Sequence, residues 1–246
     1  MPGWTSAALR AVRMAGYAWG WLYPPACRCC DRSLLGCDSP FLCAGCHRRI
    51  IWLGVQVCVR CGVMAGPYVA AGFVCRRCRS GKPAYDRAAG VARYRSPIRE
   101  LALSLKFAGD RPLALAMAAA MARRVRALGL PRADAVAPVP LHRSRLRARG
   151  YNQAAWLSMA LARQLGYHHA AGGLERAVAT DPQAGKSGDR RRLLPAGIFA
   201  ADPRAWRGKN VLLVDDVMTT GATVHSCART LRNAGAARVD VIVFAR

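Results

Sequence analysis

The run Val211-Leu212-Leu213-Val214-Asp215-Asp216-Val217-Met218-Thr219-Thr220-Gly221-Ala222-Thr223 leaves this chain few folds to choose from. Four apolar residues in a row read as a strand buried on both faces, the kind found inside a parallel sheet. The carboxylate pair then sits at its carboxyl end, where open α/β sheets bind ligands. Asp215 and Asp216 can accept hydrogen bonds from the vicinal hydroxyls of a ribose. Thr219 to Thr223 can wrap N–H groups and hydroxyls around a phosphate and lead into a helix over 224–233, whose N-terminus favours an anion. Gly221 allows close approach and a positive φ. The plain alternative is an ordinary strand, an acidic loop and a capped helix, and any single piece of the run fits it.

A second phosphate motif competes. Apolar residues followed by Asp-Asp also suit the metal-holding strand of a P-loop NTPase, and Gly185-Lys186-Ser187 matches the tail of a phosphate loop. The rest of that loop is missing: Thr180 stands where its first glycine belongs, Pro182 lies inside, and no apolar strand runs directly into it.

Upstream, strands alternate with helices. Residues 86–95 and 133–139 read as strands, and 97–107, 112–128 and 152–165 as helices, with Pro97 and Pro112 early in the first two, as a first turn tolerates. This alternation predicts a doubly wound, mostly parallel α/β sheet. Between the second strand and its helix, Arg143, Arg145, Arg147 and Arg149 occupy every second position. An extended loop would place them on one side for multidentate contact with phosphate, whereas a solvated charge run is the simpler reading.

Ten of the 11 cysteines fall between Cys27 and Cys78. Cys27-x-x-Cys30, Cys43-x-x-Cys46, Cys58-x-x-Cys61 and Cys75-x-x-Cys78 form knuckles in which one turn aims two sulfurs at one ion, and two knuckles complete a tetrahedral Cys₄ site. No secretory signal pattern is present, which favours metal over disulfides. Structural Zn²⁺, two ions in all, is the expected occupant, with a redox or cluster role as the alternative. Sequential pairing is simplest and interleaved pairing stays open. Cys29 could replace a neighbour in its knuckle, Cys37 and His47 read as bystanders, and Cys227 as a small buried residue.

Residues 83–246 suffice for one α/β domain, and 53% hydrophobic composition supports a core and excludes a disordered chain. With 38 Lys+Arg against 13 Asp+Glu, the formal charge of +25 favours polyanionic partners. Arginine and alanine dominate as in a GC-rich genome, and that bias carries part of the charge. Residues 1–24 read as an amphipathic helix packed on the body, with contact at a membrane surface as the alternative. No stretch reaches the roughly 20 apolar residues of a membrane span. A cytoplasmic location is expected.

Taken whole, the run from Val211 to Thr223 resembles the signature of type I phosphoribosyltransferases. Combined with Pro138-Val139-Pro140-Leu141, Arg149-Gly150-Tyr151-Asn152-Gln153, Leu105-Lys106-Phe107 ahead of Gly109-Asp110, and the knuckles after Leu22-Tyr23-Pro24-Pro25, it resembles the ComF family, phosphoribosyltransferase-like proteins with an N-terminal zinc-ribbon region associated with natural competence. The resemblance implies a type I phosphoribosyltransferase fold over residues 83–246 behind a double zinc ribbon over residues 25–82. It implies that Asp215 and Asp216 hold the ribose hydroxyls of phosphoribosyl pyrophosphate, and that Val217, Met218, Thr219, Thr220, Gly221, Ala222 and Thr223 hold its 5′-phosphate. Arg149, with Gly150, Asn152 and Gln153, belongs to the loop that receives pyrophosphate, and Mg²⁺ accompanies the substrate. A mobile loop over 180–192 carries Thr180, Gln183, Ser187 and Arg191, with Lys186 and Leu194 departing from the family pattern.

Two functions follow from that resemblance. One is displacement of pyrophosphate from phosphoribosyl pyrophosphate by a nucleophile. The other is a nucleic-acid-binding competence factor that uses the same fold without turnover, its partners being single-stranded DNA and other competence proteins. A transcriptional regulator is weaker, because no helix-turn-helix pattern is evident.

Overall fold

A computed structural model describes residues 25–66, 68–178 and 197–246. The expected N-terminal helix over 1–24, the loop over 180–192 and the Gly185-Lys186-Ser187 stretch lie outside these residues. In chain order the elements are α1 (Ala44–Arg48), α2 (Arg76–Ser80), β1 (Arg87–Ala92), α3 (Ile98–Phe107), α4 (Arg111–Ala127), β2 (Ala135–Pro138), α5 (Arg143–Arg149), α6 (Gln153–Leu165), β3 (Leu174–Arg176), β4 (Phe199–Ala201), α7 (Pro203–Trp206), β5 (Asn210–Val217), α8 (Ala222–Asn233) and β6 (Arg238–Ala245).

The main sheet is parallel throughout, in the order β1-β6-β5-β2, and β3 and β4 form a separate antiparallel pair. Its strands are apolar on both faces because both faces are covered. Leu212, Val214, Ile242, Phe244, Ala89 and Val91 join a core with α3, α4 and α6. Val211, Leu213, Val241 and Val243 join a second core with α8. β5 sits between β6 and β2, with Val214 opposite Pro138 and Asp215 opposite Val243, so its acidic end emerges in the middle of the sheet's carboxyl edge.

The cysteine-rich segment is built into these cores. Cys27, Cys43 and Cys46, with Leu42 and Ile50, join the α4 side, while Cys58, Cys61 and Cys78 join the α8 side. Arg28, inside the first knuckle, pairs at 3.0 Å with Asp110, whose other oxygen accepts from the Leu113 N–H and caps α4.

One expectation is corrected here. The alternating arginines form the helix α5 instead of an extended loop. Arginine is a good helix former, and the ends settle the matter: His142 Nδ1 accepts the Ser144 N–H at 3.2 Å, and Gly150 terminates the helix at φ +80°. On a helix, positions two apart point away from each other, so the four guanidiniums do not share one side. Among the described residues no helix is long and apolar enough to cross a membrane.

Candidate functional site

The turn after β5 has the backbone of an anion cradle. The Met218 N–H donates to Ala245 O at 2.9 Å, prolonging the ladder with β6 past the carboxylates. Thr219 and Thr220 then face solvent, and Gly221 takes φ +77° as the N-cap of α8 without offering a side-chain cap. A Cβ there would lie 2.6 Å from the Met218 methyl, the movable end of a flexible side chain, so it is the positive φ that favours glycine. Among the described residues the one side-chain acceptor at the start of α8 is Thr220 Oγ1, 3.4 Å from the Ala222 N–H. The helix therefore offers its first N–H groups and the positive end of its dipole to whatever anion the turn admits.

Strand alternation places Asp215 in phase with Leu213 and Asp216 in phase with Val214, on opposite faces of the sheet's end. Asp216 is buried and Asp215 partly so. Asp215 accepts from the Asp216 N–H at 2.9 Å. Its carboxyl is held well above the usual carboxylate range, first by burial and then by the neighbouring Asp216 charge, with Lys106 opposing the rise. A group that ionises against such resistance gains from a hydroxyl donor or a cation brought beside it. The Cys227 thiol, buried in α8, is pushed up by the same burial and by Asp215.

On the other side of this edge, every residue of Arg149-Gly150-Tyr151-Asn152-Gln153 has a visible task. Arg149 Nη1 donates to Gln153 Oε1 at 2.6 Å. Asn152 Oδ1 caps α6 at the Ala154 N–H, while its Nδ2 donates to Val139 O at 3.0 Å and ties α6 to the end of β2. The Tyr151 hydroxyl accepts from the Gly109 N–H at 2.9 Å and donates to Leu105 O at 3.1 Å. Asn152 thus holds the motif to Val139, whose N–H donates to Val214 O beside the carboxylates, and Tyr151 joins the α3–α4 turn to the same edge.

The structure gathers the knuckles sequentially. Cys27, Cys30, Cys43 and Cys46 form one group and Cys58, Cys61, Cys75 and Cys78 another, each with its sulfurs within 4.8 Å of one another. The Cys30–Cys43 and Cys61–Cys75 separations of 3.7 and 3.6 Å approach the ~3.8 Å edge of a tetrahedron with bonds of about 2.3 Å. Burial raises the Cys27 thiol, but N–H donors led by that of Cys43 outweigh it and bring it to about 6. In Cys58 burial is likewise outweighed, chiefly by the Cys75 N–H, and the thiol falls to about 7. Both groups are compatible with structural zinc. The Cys29 sulfur lies 3.4 Å from Ser96 Oγ and also acts on the Cys46 thiol, and His47 lies against Trp52.

One residue went unnoticed in the sequence. Arg246 donates from Nε to Cys61 O at 2.9 Å and from Nη1 to Met218 O at 3.0 Å and to Thr219 O, bridging the second Cys₄ group to the turn after the carboxylates. Its stem crosses Gly90, where a Cβ would come within 2.6 Å of Arg246 Cβ. A single arginine at a strand end carries no spacing signal, although Gly90 inside a strand pattern hints at close approach.

Comparison with known proteins follows the same division. The model of a family described as phosphoribosyl transferase domain matches residues 114–246. The chain is 34% identical over 213 residues to "Competence protein F" of Haemophilus influenzae, covering 83% of this chain and 90% of that protein. It is 32% identical over 209 residues to "DNA utilization protein YhgH" of Salmonella typhi, with coverage of 83% and 90%. Against "Competence protein ComFC" of Bacillus subtilis it is 27% identical over 202 residues, covering 80% of each chain.

Proposed function

Because this chain belongs to the ComF family of competence proteins and carries its phosphoribosyl transferase domain, we propose that it binds phosphoribosyl pyrophosphate with Mg²⁺ at the end of β5. The observation that carries the reading is the turn from Val217 to Thr223: a left-handed Gly221, two exposed threonines and an open helix start, directly after two carboxylates. In this reading Asp215 and Asp216 receive the ribose hydroxyls and the turn receives the 5′-phosphate. Arg149 faces the pyrophosphate. The oxygen-rich, mutually repelling carboxylate pair suits a hard divalent cation, and Mg²⁺ would supply charge neutralisation for the departing pyrophosphate. As the bond to the anomeric carbon breaks, positive charge on the ring is favoured by the carboxylates and negative charge on the leaving group by the guanidinium.

Two structural zinc ions would be held by Cys27, Cys30, Cys43 and Cys46 and by Cys58, Cys61, Cys75 and Cys78, with residues 25–82 acting as a double ribbon clamped to the domain over residues 83–246. The family setting points to handling of internalised single-stranded DNA. A second reading, a binding factor without turnover, draws on the +25 charge and on relatives named for DNA utilization. Calorimetric titration with phosphoribosyl pyrophosphate and Mg²⁺ separates the two. Micromolar binding that weakens at least about 100-fold in the Asp215→Ala/Asp216→Ala variant supports the first. If the wild type binds no phosphoribosyl pyrophosphate but retains salt-sensitive affinity for single strands that survives both substitutions, the second replaces it.

A further inference from the structure

Leu105-Lys106-Phe107 with Gly109-Asp110 remains without a role in the reading above, although its backbone is tied to the site. Phe107 ends α3 with 70% of its surface exposed, among the most exposed large apolar side chains described. Its backbone is fixed nonetheless. The Tyr151 hydroxyl spans Leu105 O and the Gly109 N–H, on either side of Phe107. Tyr151 in turn stacks on Trp156 at 4.1 Å and 6°, Arg111 lies 4.9 Å from the Trp156 ring, and Asp110 caps α4 and pairs with Arg28. An aromatic ring is thus presented to solvent on a braced turn.

Two cations attend the ring. Lys106 Nζ lies 5.7 Å from its centroid and Arg149 Cζ 5.5 Å. Arg149 is the guanidinium assigned to the pyrophosphate, and the neighbouring Tyr151 and Asn152 tie the Phe107 turn to Val139, which bonds Val214 just before Asp215. The ring therefore stands on the same carboxyl edge as the place assigned to the sugar. A planar π-face with a guanidinium and an ammonium at its edge is the chemistry that recognises a nucleobase and its phosphate: the ring stacks, and the cations take the charge.

We propose that Phe107, flanked by Lys106 and Arg149, is the platform on which the nucleobase of a nucleotide stacks next to the phosphoribosyl site. The assignment rests on the phosphoribosyl reading for the position of the sugar, whereas the stacking is measurable without phosphoribosyl pyrophosphate. The nucleobase can belong to a free nucleotide or to a single strand, and the probes distinguish these sources.

The test uses the full zinc-loaded chain with dTMP, a 5′-labelled oligo-dT of about ten nucleotides, and inorganic pyrophosphate as a ringless control. Phe107→Ala should weaken binding of at least one base-bearing probe by about tenfold or more, Phe107→Tyr should restore it, and pyrophosphate should bind as before. Loss with dTMP and oligo-dT alike identifies a nucleotide site, and loss with oligo-dT alone identifies a strand. The proposal is overturned if both probes bind Phe107→Ala as they bind the wild type, if Tyr fails to restore, if pyrophosphate weakens equally, or if the wild type binds neither probe. A wild type that ignores phosphoribosyl pyrophosphate while stacking still depends on Phe107 removes the phosphoribosyl reading and leaves the platform standing.

Discussion

Truncating Arg246 should loosen two distant parts of the molecule together. The guanidinium donates to Cys61 O, Met218 O and Thr219 O, so Arg246→Ala deletes the bridge between the second Cys₄ group and the turn after Asp216 while the backbone bonds of residue 246 with Ala92 and Tyr94 remain. Hydrogen bonds from a charged donor contribute roughly 1.5–3 kcal/mol each, but they share one side chain and lie partly in solvent, so the sum is not additive. A loss of about 2–4 kcal/mol follows. For a chain of this length that amounts to about 5–15 °C in melting temperature. The freed carbonyls of Met218 and Thr219 also let the turn rotate, and affinity for phosphoribosyl pyrophosphate should fall about tenfold. Arg246→Lys keeps the charge but cannot span three acceptors, and should recover only part of either quantity. Differential scanning fluorimetry and calorimetric titration on the same preparations give both numbers. A variant with wild-type melting and wild-type affinity would refute the bridge; a melting change without an affinity change would reduce Arg246 to a structural tie.

Three further outcomes are expected. Asp215→Asn should melt a few degrees above the wild type at pH 7, because it removes a carboxylate whose ionisation burial and Asp216 both oppose. The carboxyl's folded pKa lies above its unfolded one, so the stability it confers is complete below about pH 4 and is lost as pH rises through the folded value; the advantage of the Asn variant should vanish in acid, and a pH series of melting curves checks it. His225 Nδ1 accepts the Ala84 N–H at 3.1 Å, and burial, then Arg229 and Arg77, hold the ring below the usual histidine range. Its contribution is present above about pH 6.5 and lost as pH falls below that, so His225→Gln should flatten the fall in melting temperature between pH 7.5 and 5.5. Cys58→Ser or Cys27→Ser should each lower zinc content from two ions to one by elemental analysis. Only the first should also weaken phosphoribosyl pyrophosphate binding, because Arg246 reaches the second group alone.

What could be read from the chain and what could not divide along a physical line. The run from Val211 to Thr223 was legible because strand, carboxylates, turn and helix start are consecutive, so local chemistry and tertiary position agree. The knuckles were legible because two residues between thiols determine how they point; their sequential grouping needed the fold. The arginines at 143, 145, 147 and 149 misled because their period of two is a strand's period, while the deciding signals, His142 before them and Gly150 after, are caps. Leu105-Lys106-Phe107 was noticed as a pattern but given no task, since its partners Tyr151 and Arg149 lie more than forty residues away.

The two Cys₄ groups, compatible with zinc, sit where a metal is not needed to replace a core. A closed Cys₄ site ordinarily substitutes for a core in a small domain, yet here Cys27, Cys43, Cys46, Cys58, Cys61 and Cys78 lie inside cores that the sheet already supplies. Their positions differ in consequence. The first group reaches the edge of the sheet through Arg28 and Asp110, which caps α4 behind the turn bearing Phe107. The second reaches it through Arg246, which grips the turn after Asp216. Each knuckle region thus makes an arginine contact with a different side of the same carboxyl edge, the side bearing Phe107 and the side bearing the turn after Asp216. Zinc bound in each group would then act as an independent brace: removing it from the first group should weaken dTMP or oligo-dT binding more than phosphoribosyl pyrophosphate binding, and removing it from the second should do the reverse.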